Sequence, residues 1–500
     1  MGDMLSNLGL GFSVALSLQN VGLCFIGCLI GTLVGVLPGV GPIATIAMLL
    51  PLTFKVDPTG ALIMLAGIYY GAQYGGSTTA ILVNIPGEAT SVVTTLDGHQ
   101  MARQGRAGVA LGTAALVSFF AGTVSTLVIA ALGLPLTRLA LLFGPTEYFS
   151  LMVMGLAFAI VLARGSLLKA VAMIFLGILF SAVGTDIETG EERLTLGLPD
   201  LAGGIDFAVL AMGMFGFSEI VHNLETPETR DVVRRKIGKL LPGRDDLRQA
   251  AMPMVRGTLL GGILGILPGN GAVLGPFASY SVEKKMAKDP RRFGHGAIEG
   301  VAGPEAANNA GAQTAFIPLL TLGIPPNAVM ALMVGAMTIH GVIPGPLIMS
   351  KSPQLFWGMV ASMWVGNLML LIINLPLIGL WVRFLKVPYR LMFPSILIFC
   401  CIGIYSINNS ASDVMLTAFF GFLGYAFMKL GFEVAPLLLG FVLGRLMEEK
   451  LRQAMIIARG DMMTFIYSPV SAGLLLVAAI IIAVAVLPTI RKGREEVFQE

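Results

Sequence analysis

Charged side chains are scarce in this chain of 500 residues, at 12%, while 55% belong to the hydrophobic set. A soluble domain carries about a quarter of its residues as charges, so this composition cannot cover a water-facing surface. There are four cysteines. Cys24 and Cys28 share one apolar run and Cys400 and Cys401 are adjacent in another, which excludes a disulfide framework or a normally spaced zinc site and leaves buried packing thiols. The four histidines, His99, His222, His295 and His340, are isolated from one another, and no HExxH, CxxC or GxxxxGK[ST] pattern occurs. Metal-dependent hydrolysis and nucleotide hydrolysis therefore lack support. A net charge of +3 is too small for nucleic-acid binding.

Long apolar runs are abundant instead. Uncharged stretches at Thr59–Gly87, Ala107–Thr137, Gly257–Val282, Ser352–Val382, Leu391–Ser412 and Met462–Ile490 meet or exceed the roughly 20 residues that span a bilayer. The expected fold is an all-α polytopic membrane protein with roughly 10–12 transmembrane segments. From Asp186 to Asp206 the chain has six acids and one base, whereas from Glu225 to Arg256 it has eight bases and five acids. The positive-inside rule puts the second loop in the cytoplasm and the first outside. Counting spans outward from there places the His99-Arg103-Arg106 loop inside, together with Arg383, Lys386, Arg390 and Lys429. Its bases place the loop from Arg445 to Arg459 inside too, in preference to the charge-balanced tail after Arg491. Glu219 and His222 read as an interfacial pair at the inner end of a helix, and Asp413 as a helix-end acid.

Gly35-Val36-Leu37-Pro38-Gly39-Val40-Gly41 returns 230 residues later as Gly265-Ile266-Leu267-Pro268-Gly269-Asn270-Gly271. A second Gly/Pro-broken segment follows each: Tyr74 to Ala80 leading to Asn84-Ile85-Pro86-Gly87-Glu88, and Asn308 to Ala315 leading to Gly323-Ile324-Pro325-Pro326-Asn327. Two matches in the same order indicate a duplication. Basic residues lie after the second break in the first copy (Arg103, Arg106) and between the breaks in the second (Lys284, Lys285, Lys288, Arg291, Arg292), so the copies are expected to be inverted. The division is 1–224 for the first repeat, 225–256 for a charged cytoplasmic linker, and 257–500 for the second repeat with a C-terminal helix. Inverted repeats with re-entrant or discontinuous helices are the architecture of many secondary transporters.

A Pro-Gly break in an apolar run leaves amides free at the start of the next half-helix, and these suit a carboxylate. The candidate substrate-binding residues are Pro38, Gly39, Gly41, Tyr74, Gly75, Gly76, Ser77, Thr78, Gly269, Asn270, Gly271, Asn308 and Asn309. Candidates for coupling an ion are Asn84, Glu88, Glu305, Gln313 and Thr314, since ionisable and amide groups at membrane depth serve function by default. The competing reading is helix packing, to which small residues and short polar side chains also lend themselves.

Read through, Gly35 to Pro42, Gly71 to Leu82, Pro86-Gly87-Glu88, Asp97-Gly98 and Met101 to Gly105 resemble the large membrane subunit of the tripartite tricarboxylate transporters. So do Leu267-Pro268-Gly269, Phe293-Gly294, Glu299 to Ala302, Pro304 to Asn309, Leu322 to Pro325 and Pro344-Gly345-Pro346 in the second half. The resemblance implies a small membrane subunit and a periplasmic solute-binding protein as partners. It further implies import of a di- or tricarboxylate such as citrate across a bacterial inner membrane, driven by an ion gradient. Ile324-Pro325-Pro326-Asn327 departs from the family's usual Ile-Pro-Gly-Ser. No enzymatic activity and no cofactor are expected, with Na+ or H+ as the coupling ion. A channel and, behind it, an intramembrane enzyme using Glu88 or Glu305 are the alternatives.

Overall fold

The computed structural model describes residues 2–37, 41–163, 166–186, 189–225, 238–267, 271–384 and 389–486, and these are helical almost throughout. The first half contains α1 (Gly2–Ala15), α2 (Leu18–Val36), α3 (Pro42–Thr53), α4 (Pro58–Val83), α5 (Ala107–Ala140), α6 (Pro145–Leu162), α7 (Leu167–Ser181) and α8 (Phe207–Glu225). The second contains α9 (Arg244–Ile266), α10 (Gly271–Met286), α11 (Glu299–Thr314), α12 (Phe316–Leu322), α13 (Ala328–Ile339), α14 (Pro353–Asn374), α15 (Ile378–Phe384), α16 (Tyr389–Asn408), α17 (Ala411–Lys429), α18 (Ala435–Ile457) and α19 (Pro469–Val486). Among the described residues five helices are long and apolar enough to cross a membrane: α2, Ala102–Ala140, α8, α14 and α17. Shorter apolar helices accompany them, α3, α13 and α19 included. The chain is thus an all-α polytopic membrane protein.

Its centre is two parallel helix pairs, α2 on α4 and α9 on α11. Glycines set both. A Cβ added at Gly27, Gly31 or Gly35 would lie 2.2, 2.2 and 2.4 Å from the carbonyl oxygens of Met64, Ile68 and Ala72. The same positions 230 residues on, Gly257, Gly261 and Gly265, would meet the carbonyls of Gly303, Ala307 and Gly311 at 2.2, 2.1 and 2.4 Å. In lipid, where apolar burial drives little association between helices, such backbone contact supplies the packing.

The halves cross-connect at both ends. Asp97, fully buried, accepts from the amides of Gly294, Gly296 and Ala297 at 2.9, 2.7 and 2.8 Å, and from the Tyr280 hydroxyl at 3.0 Å. That joins the loop after α4 to the linker between α10 and α11. Nearby, Arg106 pairs with Asp246 at 2.6 Å. At the opposite ends of these helices, His340 after α13 meets Asp57 and the Thr53 backbone in the linker between α3 and α4. Helix α9 begins inside the segment 225–256 expected to be linker, because Asp246 accepts from the Gly243 amide at 3.0 Å and starts the helix there.

One topological expectation is overturned. Glu448 and Arg452, in the segment expected inside, sit with the acidic loop expected outside: Arg193 meets Glu448 at 2.7 Å, and Arg452 meets Asp186 at 2.6 Å. Helix α18 therefore carries the chain from Lys429, which pairs with Glu225, to the face bearing residues 186–206. The bases of this segment are matched by acids of that loop, so a bare count of Lys and Arg misreads them. All four cysteines are free, and Cys24 and Cys28 are packed against α14.

Candidate functional site

The second breaks of the two halves have the same backbone course. Helix α4 ends at Asn84 in the left-handed region (φ 60°, ψ 26°) and α12 at Gly323 (φ 74°, ψ 18°), 239 residues later. Four residues on, Glu88 (φ −154°, ψ 169°) and Asn327 (φ −150°, ψ 174°) each open the next helical turn. The chain facing each comes from the other half at one shared repeat position. Tyr69 of α4 lies against Asn327, and Asn308 of α11, also 239 residues on, lies against Glu88.

Between the halves is a buried polar centre. Glu305 is fully buried on α11. Its Oε2 accepts from Ser77 of α4 at 2.6 Å, and its Oε1 accepts from the hydroxyl of Thr94, in the turn after the break. Glu88 is close enough to interact electrostatically with Glu305 and accepts from Thr90 at 2.5 Å, while Thr90 also contacts Gln73 Oε1 at 3.0 Å. Asn309 donates to Ser118 of α5 at 2.6 Å and back to the Glu305 carbonyl at 3.0 Å. Both polar atoms of the Asn308 amide, and Gln313 Oε1, are buried without a hydrogen-bond partner among the described residues. Such orphan groups cost about 1–3 kcal/mol each when left unmade, which marks them as contacts for a ligand or water. A cavity of about 10 Å³, lined by Tyr74, Ser77, Thr78 and Ser118 among others, adjoins the centre. It has room for about one water. Neither acid has a Lys or Arg partner among the described residues.

The structure gathers Ser77, Glu88, Glu305, Asn308 and Asn309 as expected, with Tyr74 and Thr78 on the cavity wall. It sorts the others differently. Pro38, Gly39, Gly269 and Asn270 lie outside the described residues. The Gly41 amide, expected to be free for a substrate, donates to Glu219 at 3.1 Å, so the half-helix already holds a carboxylate of the protein. That also corrects Glu219 from an interfacial group to one reaching α3. Gly271 is a packing residue: a Cβ there would lie 1.9 Å from the Leu264 carbonyl. Gly75 likewise packs on Thr32, whereas Gly76 makes room for Glu88, whose Cγ would be 3.1 Å from an added Cβ. Asn84 is exposed and ends its helix in the left-handed region, which amide side chains tolerate. Thr314 lies under Gly265 and donates to its own helix at 3.0 Å. Thr94, Thr90, Gln73, Tyr69 and Ser118 belong to the centre without having been singled out. Only Gln73, next to the Tyr-Gly-Gly-Ser motif, carried a sequence signal.

Residues 21–439 match the tripartite tricarboxylate transporter TctA family. The chain belongs to that family. It is 58% identical over 500 residues, 100% of both chains, to an "uncharacterized 52.8 kDa protein in TAR-I ttuC' 3'region" of Agrobacterium vitis. It is 60% identical over 240 residues, 48% of this chain and 99% of the other, to an "uncharacterized protein in TAR-II ttuC' 3'region" of the same organism. No solved structure matches. Family membership makes the chain a tricarboxylate transporter subunit and points away from an enzyme.

Proposed function

We propose that this subunit imports a di- or tricarboxylate of the citrate type by secondary active transport, coupled to a Na+ or H+ gradient. An extracytoplasmic solute-binding protein delivers the substrate, a small membrane subunit completes the complex, and the membrane is the bacterial inner membrane. The two halves are inverted repeats, with the Asp97 clasp at the cytoplasmic end and the His340 contact at the outer end. One observation carries this reading: two broken segments of matching backbone, one from each half, close on a buried centre that contains two acids and, among the described residues, no base. Paired discontinuous helices supply amides for a carboxylate, and an uncompensated acid at membrane depth supplies a seat for a cation. At the first break, Glu219 on the Gly41 amide supports a carboxylate seat on the half-helix α3, where the substrate would displace it.

The test is uptake of labelled citrate and related carboxylates into membrane vesicles holding all three subunits. Saturable, gradient-dependent accumulation that requires the binding protein is expected. Non-saturable ohmic flux would make the subunit a channel, and a chemically altered product would make it an enzyme.

A further inference from the structure

The loop between α7 and α8 turns leucines outward. Leu194 and Leu196, with φ of 54° and 55°, are two of the five non-glycine residues with positive φ among the described residues. Bulky side chains are strained in that left-handed region, and such strain persists only where the surrounding contacts hold it. The alternation it produces runs against burial. Thr195 is buried, its hydroxyl donating to Glu192 Oε2 at 2.9 Å, while Leu196 is 86% exposed and Leu194 and Leu198 are each 52% exposed. The loop is braced on several sides. Gly184–Thr185 pairs with Glu192–Arg193, and the Thr185 amide donates to the Ala202 carbonyl at 2.9 Å. Arg193 fastens one side to Glu448 of α18 at 2.7 Å, and Asp200 fastens the other by accepting from Ser412 of α17 at 2.7 Å. Three leucines are thus held out on a fixed platform.

Lipid does not account for them. The platform meets α18 where Arg445, Glu448, Glu449, Lys450 and Arg452 place five charges in eight residues, a density that hydrocarbon excludes. The leucines therefore stand at headgroup depth or beyond it. Segments that lie on a membrane surface carry Lys and Arg beside their apolar residues. Here the exposed charges flanking the leucines are Glu191, Glu192 and Asp200, and the one base between Asp186 and Asp206, Arg193, is paired with Glu448. Resting on the transporter reading above, which puts this loop outside, we propose that Leu194, Leu196 and Leu198 are the docking surface for the solute-binding protein. The matching face of that protein is an apolar pocket rimmed by lysines and arginines. The leucines fill the pocket and set how long the complex lasts, while the acids draw in the basic rim and set how fast it forms. Because the backbone is already fixed, little ordering remains to oppose docking.

The experiment is surface plasmon resonance, with citrate-loaded solute-binding protein flowed over the membrane complex in nanodiscs. Leu196→Ser should raise Kd at least tenfold, mostly through faster dissociation. Glu191→Lys should slow association at low salt and flatten its decline as salt rises. Both positions are exposed, so size-exclusion profiles should match the wild type, and should Leu196→Ser fail to fold, Glu191→Lys decides alone. Leu196→Trp, read as its difference from the wild type without binding protein, tests the lipid alternative: its emission should not be quenched by brominated lipid. Quenching there, unchanged kinetics in Leu196→Ser and Glu191→Lys, or no binding to the wild type each overturns the proposal. Unchanged kinetics beside uptake that requires the binding protein would sink the docking surface and leave the transporter reading standing. Docking weakened as expected, beside absent gradient-driven uptake, would refute that reading and leave the surface.

Discussion

Glu88 and Asn327 occupy one position in two copies of the same turn and put their side chains to opposite uses. Asn327 spends its side chain locally, accepting from the Met330 amide at 2.9 Å and so capping α13. Glu88 leaves that task to Ser91, whose hydroxyl accepts from the Glu88 amide at 3.4 Å and donates to the Glu88 carbonyl at 3.0 Å. Its carboxyl is thereby released toward Thr90 and Asn308. Duplication supplied two equivalent turns, and relieving one side chain of capping made a chemical group of it. The polar centre is accordingly lopsided within a nearly symmetric frame. The frame belongs to glycine and backbone, the asymmetry to single side chains.

The largest effects should come from the frame. Gly31→Val and Gly261→Val each drive a side chain into a carbonyl about one bond length away from any tolerable distance, in backbone that is held on both sides. Overpacking costs about 1–3 kcal/mol where neighbours can shift, and here they cannot, so both variants should lose most folded protein in the membrane. Gly271→Val belongs with them. Gly41→Val does not, since a Cβ there meets only Glu219 Oε1, at 3.6 Å. It should fold normally and lose uptake. Equal loss of folded protein in Gly41→Val and Gly271→Val, measured by size-exclusion profile and yield, would show that the two first breaks are packed alike and remove the distinction between them.

Composition and the long apolar runs were enough to make the fold class legible, and the Gly/Pro-broken segments located the turns after Asn84 and Gly323. The glycine stripes were equally visible, at four-residue spacing and 230 residues apart, but a motif search centred on proline passes over them. Glu305 and Ser77 stood out by type. What joined them could not be read, because Thr94 and Ser118 reach the centre from different elements and no local pattern distinguishes them from packing threonines and serines. Glu219 was illegible for the same reason: its partner amide is 178 residues away. The sidedness of Arg445 to Arg459 failed through charge compensation across 266 residues, from Asp186 to Arg452.

A sharper effect on function than on folding is expected at Glu88. Glu88→Asn places in the first turn the residue that the second turn already carries, with the backbone there shaped to accept it. Folded protein and its unfolding temperature should stay close to the wild type, while gradient-driven uptake falls by at least tenfold because the released carboxyl is gone. Unimpaired uptake would mean that the two turns are functionally interchangeable, and the lopsided reading of the centre would fail.

The smallest effects test which residue does the capping in each half. Asn327→Ala deprives the Met330 amide of its acceptor and should cost about 1 kcal/mol, the usual loss for an N-cap. Asn327→Ser keeps an acceptor at the same place and should recover most of that. In the first half the equivalent loss should appear in Ser91→Ala and not in Glu88→Ala, since Ser91 is the side chain that binds back to the turn. Unfolding midpoints in detergent would rank the four. If Glu88→Ala is as destabilising as Asn327→Ala, then Glu88 still caps its turn, its carboxyl is not released, and the contrast between the halves reduces to a difference in charge.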